Sequence, residues 1–344
     1  MPTALFAWRR TPPPFLIGGA EVTQQLLAEE LAAAGWHVTY LGSYEAPWGG
    51  PGQLPGMRVH LDAQHVPYDE VDGALHYRWN GIQCAALSQN NVEHVFGDLL
   101  AALRPEAVFT SQEGSAELAA LARPTALVAG LLHSVSSTGL GVLAGRPHYG
   151  LAVSEFVRTR VPHTPGTRIE LMYPPFSPPG PTAEAHHRTT AVLLINPISA
   201  KGADLLHRLV RLMPEQRFTL VEGWWDTASD FAAYPNVTYV PRLYDMEPLY
   251  RSHRLLLVPS TVEDAFPRVI VEAALHGVPS IGTDRGGIPE AIGGTGIVLP
   301  VTAGLEEWGR AIRETDAEAL GRQARHRAMR FTRPCLPELR GMGI

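Results

Sequence analysis

The residues best suited to chemistry lie in one stretch, Val258 to Glu290, of a 344-residue chain. An apolar run ends at Val258, and an acidic loop with Glu263 and Asp264 follows. Phe266-Pro267-Arg268-Val269 then opens a helical pattern that closes at Gly277. Proline fixes φ and needs no N–H partner at a helix start, so Pro267 is expected as the first helical residue. A second apolar run leads on to Gly286-Gly287. Two strand ends thus meet one helix start, where free backbone N–H groups and the positive end of the helix dipole suit a phosphate. Glu272 stands five residues beyond Pro267. A carboxylate there can accept hydrogen bonds from two adjacent hydroxyls, as on a ribose. Taken alone it reads as a solvated helix residue; within this arrangement it reads as a ligand.

Three further patches carry candidate chemistry. Leu194 to Gly202 follows an apolar run and ends in Lys201-Gly202. Lys201 is the only lysine among 28 basic residues, every other being arginine. An ammonium is a compact charge for a phosphate, and a surface-lysine reading must treat that singularity as coincidence. Gly18-Gly19 opens the first helical pattern, where missing side chains let backbone approach a phosphate or an acceptor. Alone, such a pair is more often a turn. His133 lies just past the apolar run from Leu127, a place where a lone histidine is more often structural than catalytic.

The elements that must position these groups alternate. Strands are expected at Ala4–Trp8, His37–Leu41, Ala107–Thr110, Ala126–Ala129, Gly150–Val153 and Arg168–Met172. Helices are expected at Ala20–Ala34, Val92–Leu103 and Ala116–Leu121, and Asn80-Gly81 carries the signal of a tight hairpin. Pro174, Pro175, Pro178, Pro179 and Pro181 then break the pattern, because proline lacks an N–H and fixes φ. Residues 174–189 are therefore read as a linker, after an N-terminal domain of residues 1–173. The alternation restarts with strands at Ala191–Ile195, Phe218–Val221, Val237–Val240, Leu255–Val258, Pro279–Gly282 and Ile297–Leu299. Helices are expected near 203–212, 227–233, 246–252, 267–276, 287–292, 303–313 and 317–330. A C-terminal domain of residues 190–316 follows, and 317–344 is expected to cross back to the first domain. Such alternation predicts an α/β chain of two Rossmann-like domains, parallel sheets facing across a cleft, with ligands outside the carboxyl ends of the strands.

The stretch 258–290 resembles the donor-site signature of the GT-B glycosyltransferases, specifically the retaining family 4 (glycosyl transferases group 1). That signature is a Glu, seven residues, a second Glu, then Ala and later Gly-x-Pro. Asp264 takes the first place, Glu272 the second, and Phe266-Pro267 stands where Phe-Gly is common. The resemblance implies that Glu272 binds the nucleotide ribose and that backbone amides around Phe266–Val269 face the donor sugar and phosphate. Lys201-Gly202 resembles the family's second phosphate patch, but Asn196 stands where an arginine is usual. Arg242, Arg268 or Arg285 is expected to compensate. Gly18-Gly19 resembles the family's N-domain glycine loop, and His133 takes the place of a histidine near the donor sugar; Ser154-Glu155-Phe156 and Tyr173-Pro174-Pro175 resemble its closing N-domain segments. The resemblance implies a metal-independent, retaining transferase. Its donor would be a UDP-, GDP- or TDP-linked sugar and its acceptor a hydroxyl; it would need no cofactor. Lys201, Asp264, Glu272 and His133 would act on the reacting groups. No Asp-x-Asp triplet of the kind common in metal-dependent transferases occurs. The alternatives are a nucleotide-sugar epimerase and a non-catalytic GT-B partner subunit.

Composition narrows the partners. The formal charge of −6 argues against nucleic acid. Two distant cysteines, Cys84 and Cys335, exclude a disulfide scaffold and fit a cytoplasmic location. No apolar run is long enough to span a bilayer, which leaves peripheral membrane contact open. The arginine, alanine and proline bias points to a GC-rich bacterium and a soluble acceptor, a secondary metabolite or an oligosaccharide. Trp224-Trp225 is read as packing, His186-His187 as lacking metal spacing, and Arg322, Arg325, Arg327 and Arg330 as a solvated helix face. Residues 45–90, outside the resemblance, are expected to shape the acceptor side.

Overall fold

A computed structural model of the chain describes residues 1–14, 18–45, 53–180, 189–223 and 229–344. The expectations at Trp224-Trp225 and His186-His187, and part of the proline-rich segment, lie outside these. The chain divides into two compact units, Met1–Pro175 with Pro334–Ile344, and Phe176–Arg333.

The first unit runs β1 (Thr3–Ala7), α1 (Gly19–Ala33), β2 (His37–Ser43), α2 (Leu54–Ala63), β3 (Tyr68–Val71), β4 (Ala74–Trp79), β5 (Ile82–Leu87), α3 (Val92–Leu103), β6 (Ala107–Thr110), α4 (Ser115–Ala122), β7 (Leu127–Leu132), α5 (Ser137–Leu140), β8 (Tyr149–Ala152), α6 (Glu155–Arg160) and β9 (Arg168–Leu171). Its sheet has the order β3-β4-β5-β2-β1-β6-β7-β8-β9. Central strands such as Ala107–Thr110 are buried throughout, as sheets covered on both faces require. Phe6 stacks between Phe109 and Tyr40, with ring centroids 4.5 and 5.5 Å away, and anchors this core.

The first unit's sheet is parallel except at one edge, where the hairpin signal at Asn80-Gly81 falls. β4 pairs antiparallel with both β3 and β5, and β5 pairs parallel with β2. Two tight hairpins cause this, Asp72-Gly73 between β3 and β4 and Asn80-Gly81 between β4 and β5. All four residues have positive φ (51° and 75°, 44° and 83°), the pattern of a two-residue turn that must return antiparallel.

The second unit runs β10 (Val192–Ile195), α7 (Ala203–Leu212), β11 (Phe218–Val221), β12 (Val237–Val240), α8 (Glu247–Ser252), β13 (Leu255–Val258), α9 (Arg268–Leu275), β14 (Ser280–Thr283), α10 (Ile288–Ile292), β15 (Ile297–Leu299), α11 (Leu305–Glu314) and α12 (Ala317–Ala328). The sheet order is β12-β11-β10-β13-β14-β15, parallel throughout. Phe218, Phe231 and Trp308 fill its core. The described part of the helix expected near 227–233 is a 3-10 turn, Ser229–Ala233. A last helix, α13 (Leu336–Gly341), belongs with the first unit, where Tyr149 Oη donates to Met342 O at 2.8 Å.

Each sheet has one point where the chain switches from adding strands on one side of its first strand to adding them on the other. It lies between β1 and β6 in the first unit and between β10 and β13 in the second. Adjacent connections diverge there and leave a crevice at the strand carboxyl ends, the usual ligand position in open α/β sheets.

Candidate functional site

The reversal point of the second unit is built from three loops. After β10, Asn196 adopts a left-handed conformation (φ 60°), tolerable for asparagine, and donates its N–H to Val221 O at 2.8 Å. A 3-10 turn, Ser199–Lys201, ends at Gly202 with φ 88°. A side chain at Gly202 would overlap Pro259, so this loop lies directly on the one after β13. Thr261 N–H donates to Ala200 O at 3.0 Å and ties the two. The Lys201 ammonium is thereby brought onto the Asp264 carboxylate, whose other oxygen accepts from Ser260 Oγ at 2.7 Å. Both members of the pair keep partial exposure, 28% for the lysine side chain and 16% for the aspartate.

The third loop follows β14. Gly287 N–H donates to Asp264 O at 2.6 Å, and a side chain at Gly286 would overlap the Asp264 backbone. The glycine pair singled out in the sequence therefore serves the close approach of two loops. Arg285, the residue before it, has its guanidinium Nε buried.

Helix α9 starts at these loops. Pro267 is its N-cap, with ψ 104°, rather than its first helical residue, and no side chain caps the turn. An uncapped first turn leaves N–H groups for a ligand. Phe266 is buried with its ring edge against Phe331, and Val269 is half-buried. Arg268 is only 7% exposed; its Nε donates to Glu272 Oε1 at 3.2 Å, and its guanidinium lies 4.1 Å from the centroid of the Phe176 ring. Burial pushes its pKa down, opposed by the Glu272 charge. Tyr250 Oη donates to Glu272 Oε2 at 3.0 Å. Burial, then the charge of Glu272, holds the Tyr250 phenol well above its ordinary range, so it stays a donor. With one partner on each oxygen, the Glu272 carboxylate has a set direction. Its side chain remains 29% exposed, which leaves lone pairs for a further donor.

The structure thus joins Lys201 to Asp264 and Arg268 to Glu272. Arg242 is held elsewhere, donating to Gly223 O from Nε at 3.2 Å and Nη2 at 2.9 Å. Asn196 Oδ1 is buried where a side chain at Gly223 would overlap it. Sequence reasoning missed Ser260 and Tyr250. Ser260 had a signal, a small polar residue two past a buried strand; Tyr250 had none. The solvated face expected in α12 is corrected at Arg327, which is half-buried and donates to Ala291 O at 2.8 Å and Glu290 O at 2.6 Å. There it satisfies carbonyls at the end of α10.

Gly18, Gly19 and His133 belong to the first unit; Phe15–Ile17 of the glycine loop lie outside the described residues. Gly18 is the N-cap of α1, and Glu21 reaches back over it. A Cβ at Gly18 would stand 2.6 Å from Glu21 Oε2, so the glycine makes room for a carboxylate at the helix start. Arg10 donates to Glu21 Oε1 at 2.9 Å and to both Glu113 oxygens at 2.8 Å. Burial alone would raise the Glu113 carboxyl, but the Arg10 hydrogen bonds and charge outweigh it and hold it below its ordinary range. His133 follows β7 and is half-buried.

Among the described residues no group of three His, Cys, Asp or Glu side chains could hold a metal ion. No helix among them is long and apolar enough to cross a membrane.

Residues 192–315, the span of these three loops, match the family model described as Glycosyl transferases group 1. No curated protein matches the chain. Among solved structures, it resembles sucrose-phosphate synthase from Thermosynechococcus elongatus (TM-score 0.71, 17% identity, covering 100% of this chain and 98% of that one). It also resembles Anabaena HepE in complex with UDP and glucose (TM-score 0.70, 17% identity, 99% and 100%). A third likeness is to TarM, of S. aureus (TM-score 0.72, 10% identity, 100% and 98%). The chain has the GT-B fold of these glycosyltransferases, and its second unit carries the segment that matches the glycosyl transferases group 1 model.

Proposed function

We propose that the protein is a glycosyltransferase that takes a sugar from a nucleotide-diphosphate donor and passes it to an acceptor hydroxyl with retention of configuration. The observation that carries this is the reversal point of the second unit. An ammonium, an uncapped helix start and a directed carboxylate meet there within the segment that matches the family model. Lys201 and the amides of 266–269 would hold the diphosphate, Glu272 would accept from the ribose hydroxyls, and Asp264 would face the sugar. In the reaction the bond between the anomeric carbon and the diphosphate oxygen breaks. A bond from the acceptor oxygen forms on the same face, and the acceptor proton passes to the departing diphosphate. The protein's contribution is charge placed in advance where the leaving group develops it.

UDP is the first donor base to try, because HepE is seen with UDP; GDP and TDP complete the panel. A bacterial secondary metabolite or an oligosaccharide is the proposed acceptor. Calorimetry with UDP, GDP and TDP, followed by product analysis with and without acceptor, tests the reading. A transferase binds one diphosphate and forms product only with acceptor. An epimerase would convert the donor sugar alone, and a non-catalytic subunit would form no product. Activity should persist in excess EDTA; loss restored by Mg²⁺ would overturn the metal-independent site.

A further inference from the structure

Resting on that reading, we propose that Arg285 is the second cation of the donor site, contacting the phosphate farther from the nucleoside. A diphosphate is multiply charged, and Lys201 is already compensated by Asp264. A second positive group is therefore required near the same loops. Three arginines lie on the loops and helix start at the strand carboxyl ends. Two are engaged: Arg242 donates twice to Gly223 O, and Arg268 is buried against Glu272 and the Phe176 ring. Arg285 differs. Its Nε is buried, yet among the described residues its guanidinium has no hydrogen bond and no ion pair. Arg9 and Arg251 also bury Nε, but each has a carboxylate, Glu93 and Glu247.

Taking a donor nitrogen out of water without a partner is unfavourable, and such groups gather where a ligand supplies the missing charge. Location supplies the second argument. Arg285 directly precedes Gly286-Gly287, whose backbone lies on Asp264, the residue paired with Lys201. The neighbouring Asp284 carboxylate forms no ion pair with it; its Oδ1 instead accepts from Val301 N–H at 2.9 Å. A guanidinium also presents paired donors that fit a phosphate.

The test measures the Kd of the tightest-binding diphosphate among UDP, GDP and TDP, and of the monophosphate of the same base. The proteins are wild type, Arg285→Ala, Arg285→Lys and Arg242→Ala. Arg285→Ala should weaken the diphosphate by roughly 10–100-fold, the scale of a lost charge-assisted hydrogen-bond pair, and the monophosphate by less than about 3-fold. Arg285→Lys should recover part of the loss, which also shows that the loop folds, and Arg242→Ala should change little. An unchanged diphosphate Kd in Arg285→Ala, or equal losses for both nucleotides, overturns the assignment alone. If wild type binds no nucleoside diphosphate, the donor-site reading falls with it.

Discussion

At the carboxyl end of the first unit's sheet one arginine is held between two glutamates. At that of the second, one lysine shares a single aspartate, and among the described residues Arg285 has no carboxylate partner. The topology is alike, since each cluster sits where strand order reverses. The chemistry is opposite. In the first unit Glu21 fills the positive end of α1. In the second the start of α9 carries no side-chain cap. A reversal point supplies a crevice and a helix start; the sign of the ligand it suits is decided by whether a carboxylate already occupies that start.

Substitutions that erase this difference should have unequal effects. The largest is expected at Lys201. Lys201→Ala removes an ammonium from the departing diphosphate and leaves Asp264 uncompensated beside it. Steady-state kinetics should show kcat lowered by about 10²–10³-fold, with a smaller change in KM. A near wild-type kcat would make Lys201 a surface lysine and remove the contrast between the two units.

Next comes Glu272. Truncation to alanine would also strip the buried Arg268 of its counter-charge, so Glu272→Gln is the cleaner probe. Titration with nucleoside diphosphate should show binding weaker by about 1–3 kcal/mol. Tyr250→Phe frees one carboxylate oxygen to turn and should cost about 0.5–1.5 kcal/mol of the same binding. Unaltered affinity in both would take the ribose away from Glu272.

The first unit should respond to pH instead. The Glu113 carboxyl is held low by Arg10, so its stabilising contribution is complete above the ordinary carboxylate range and is lost as pH falls through its own lower value. Thermal melts should therefore lose stability on acidification below about pH 4, and Glu113→Gln should flatten that part of the profile. Equal profiles would mean the pair contributes nothing. The smallest effect is expected at Gly18. Gly18→Ala meets only the far end of the Glu21 side chain, which can turn, so unfolding should show less than about 1 kcal/mol of destabilisation. A larger loss would show that the carboxylate is fixed more firmly than its rotamers suggest.

Much of the architecture was legible locally. Leu255–Val258 is buried along its whole length and reads as an unbroken apolar run, and Phe218–Val221, equally buried, is broken only by Thr219. Helix α2 was not legible, because Pro55 and Gly56 look like a loop, whereas the proline sits in the helix's first turn. Pro337 hides α13 in the same way. Strand β3 exposes three of its four residues and has no apolar pattern to detect.

By itself the amino-acid sequence determined the alternation of elements, the antiparallel return at Asn80-Gly81, and which strand ends carry Lys201, Asp264 and Glu272. Those follow from periodicity and turn chemistry, which act over a few residues. Only the tertiary structure decided the partners. Lys201 and Asp264 are 63 residues apart, and Arg10 and Glu113 are 103 apart. Their meeting depends on strand order, and Arg285 stands out from Arg242 and Arg268 at these loops only once the partners of those two are known in space.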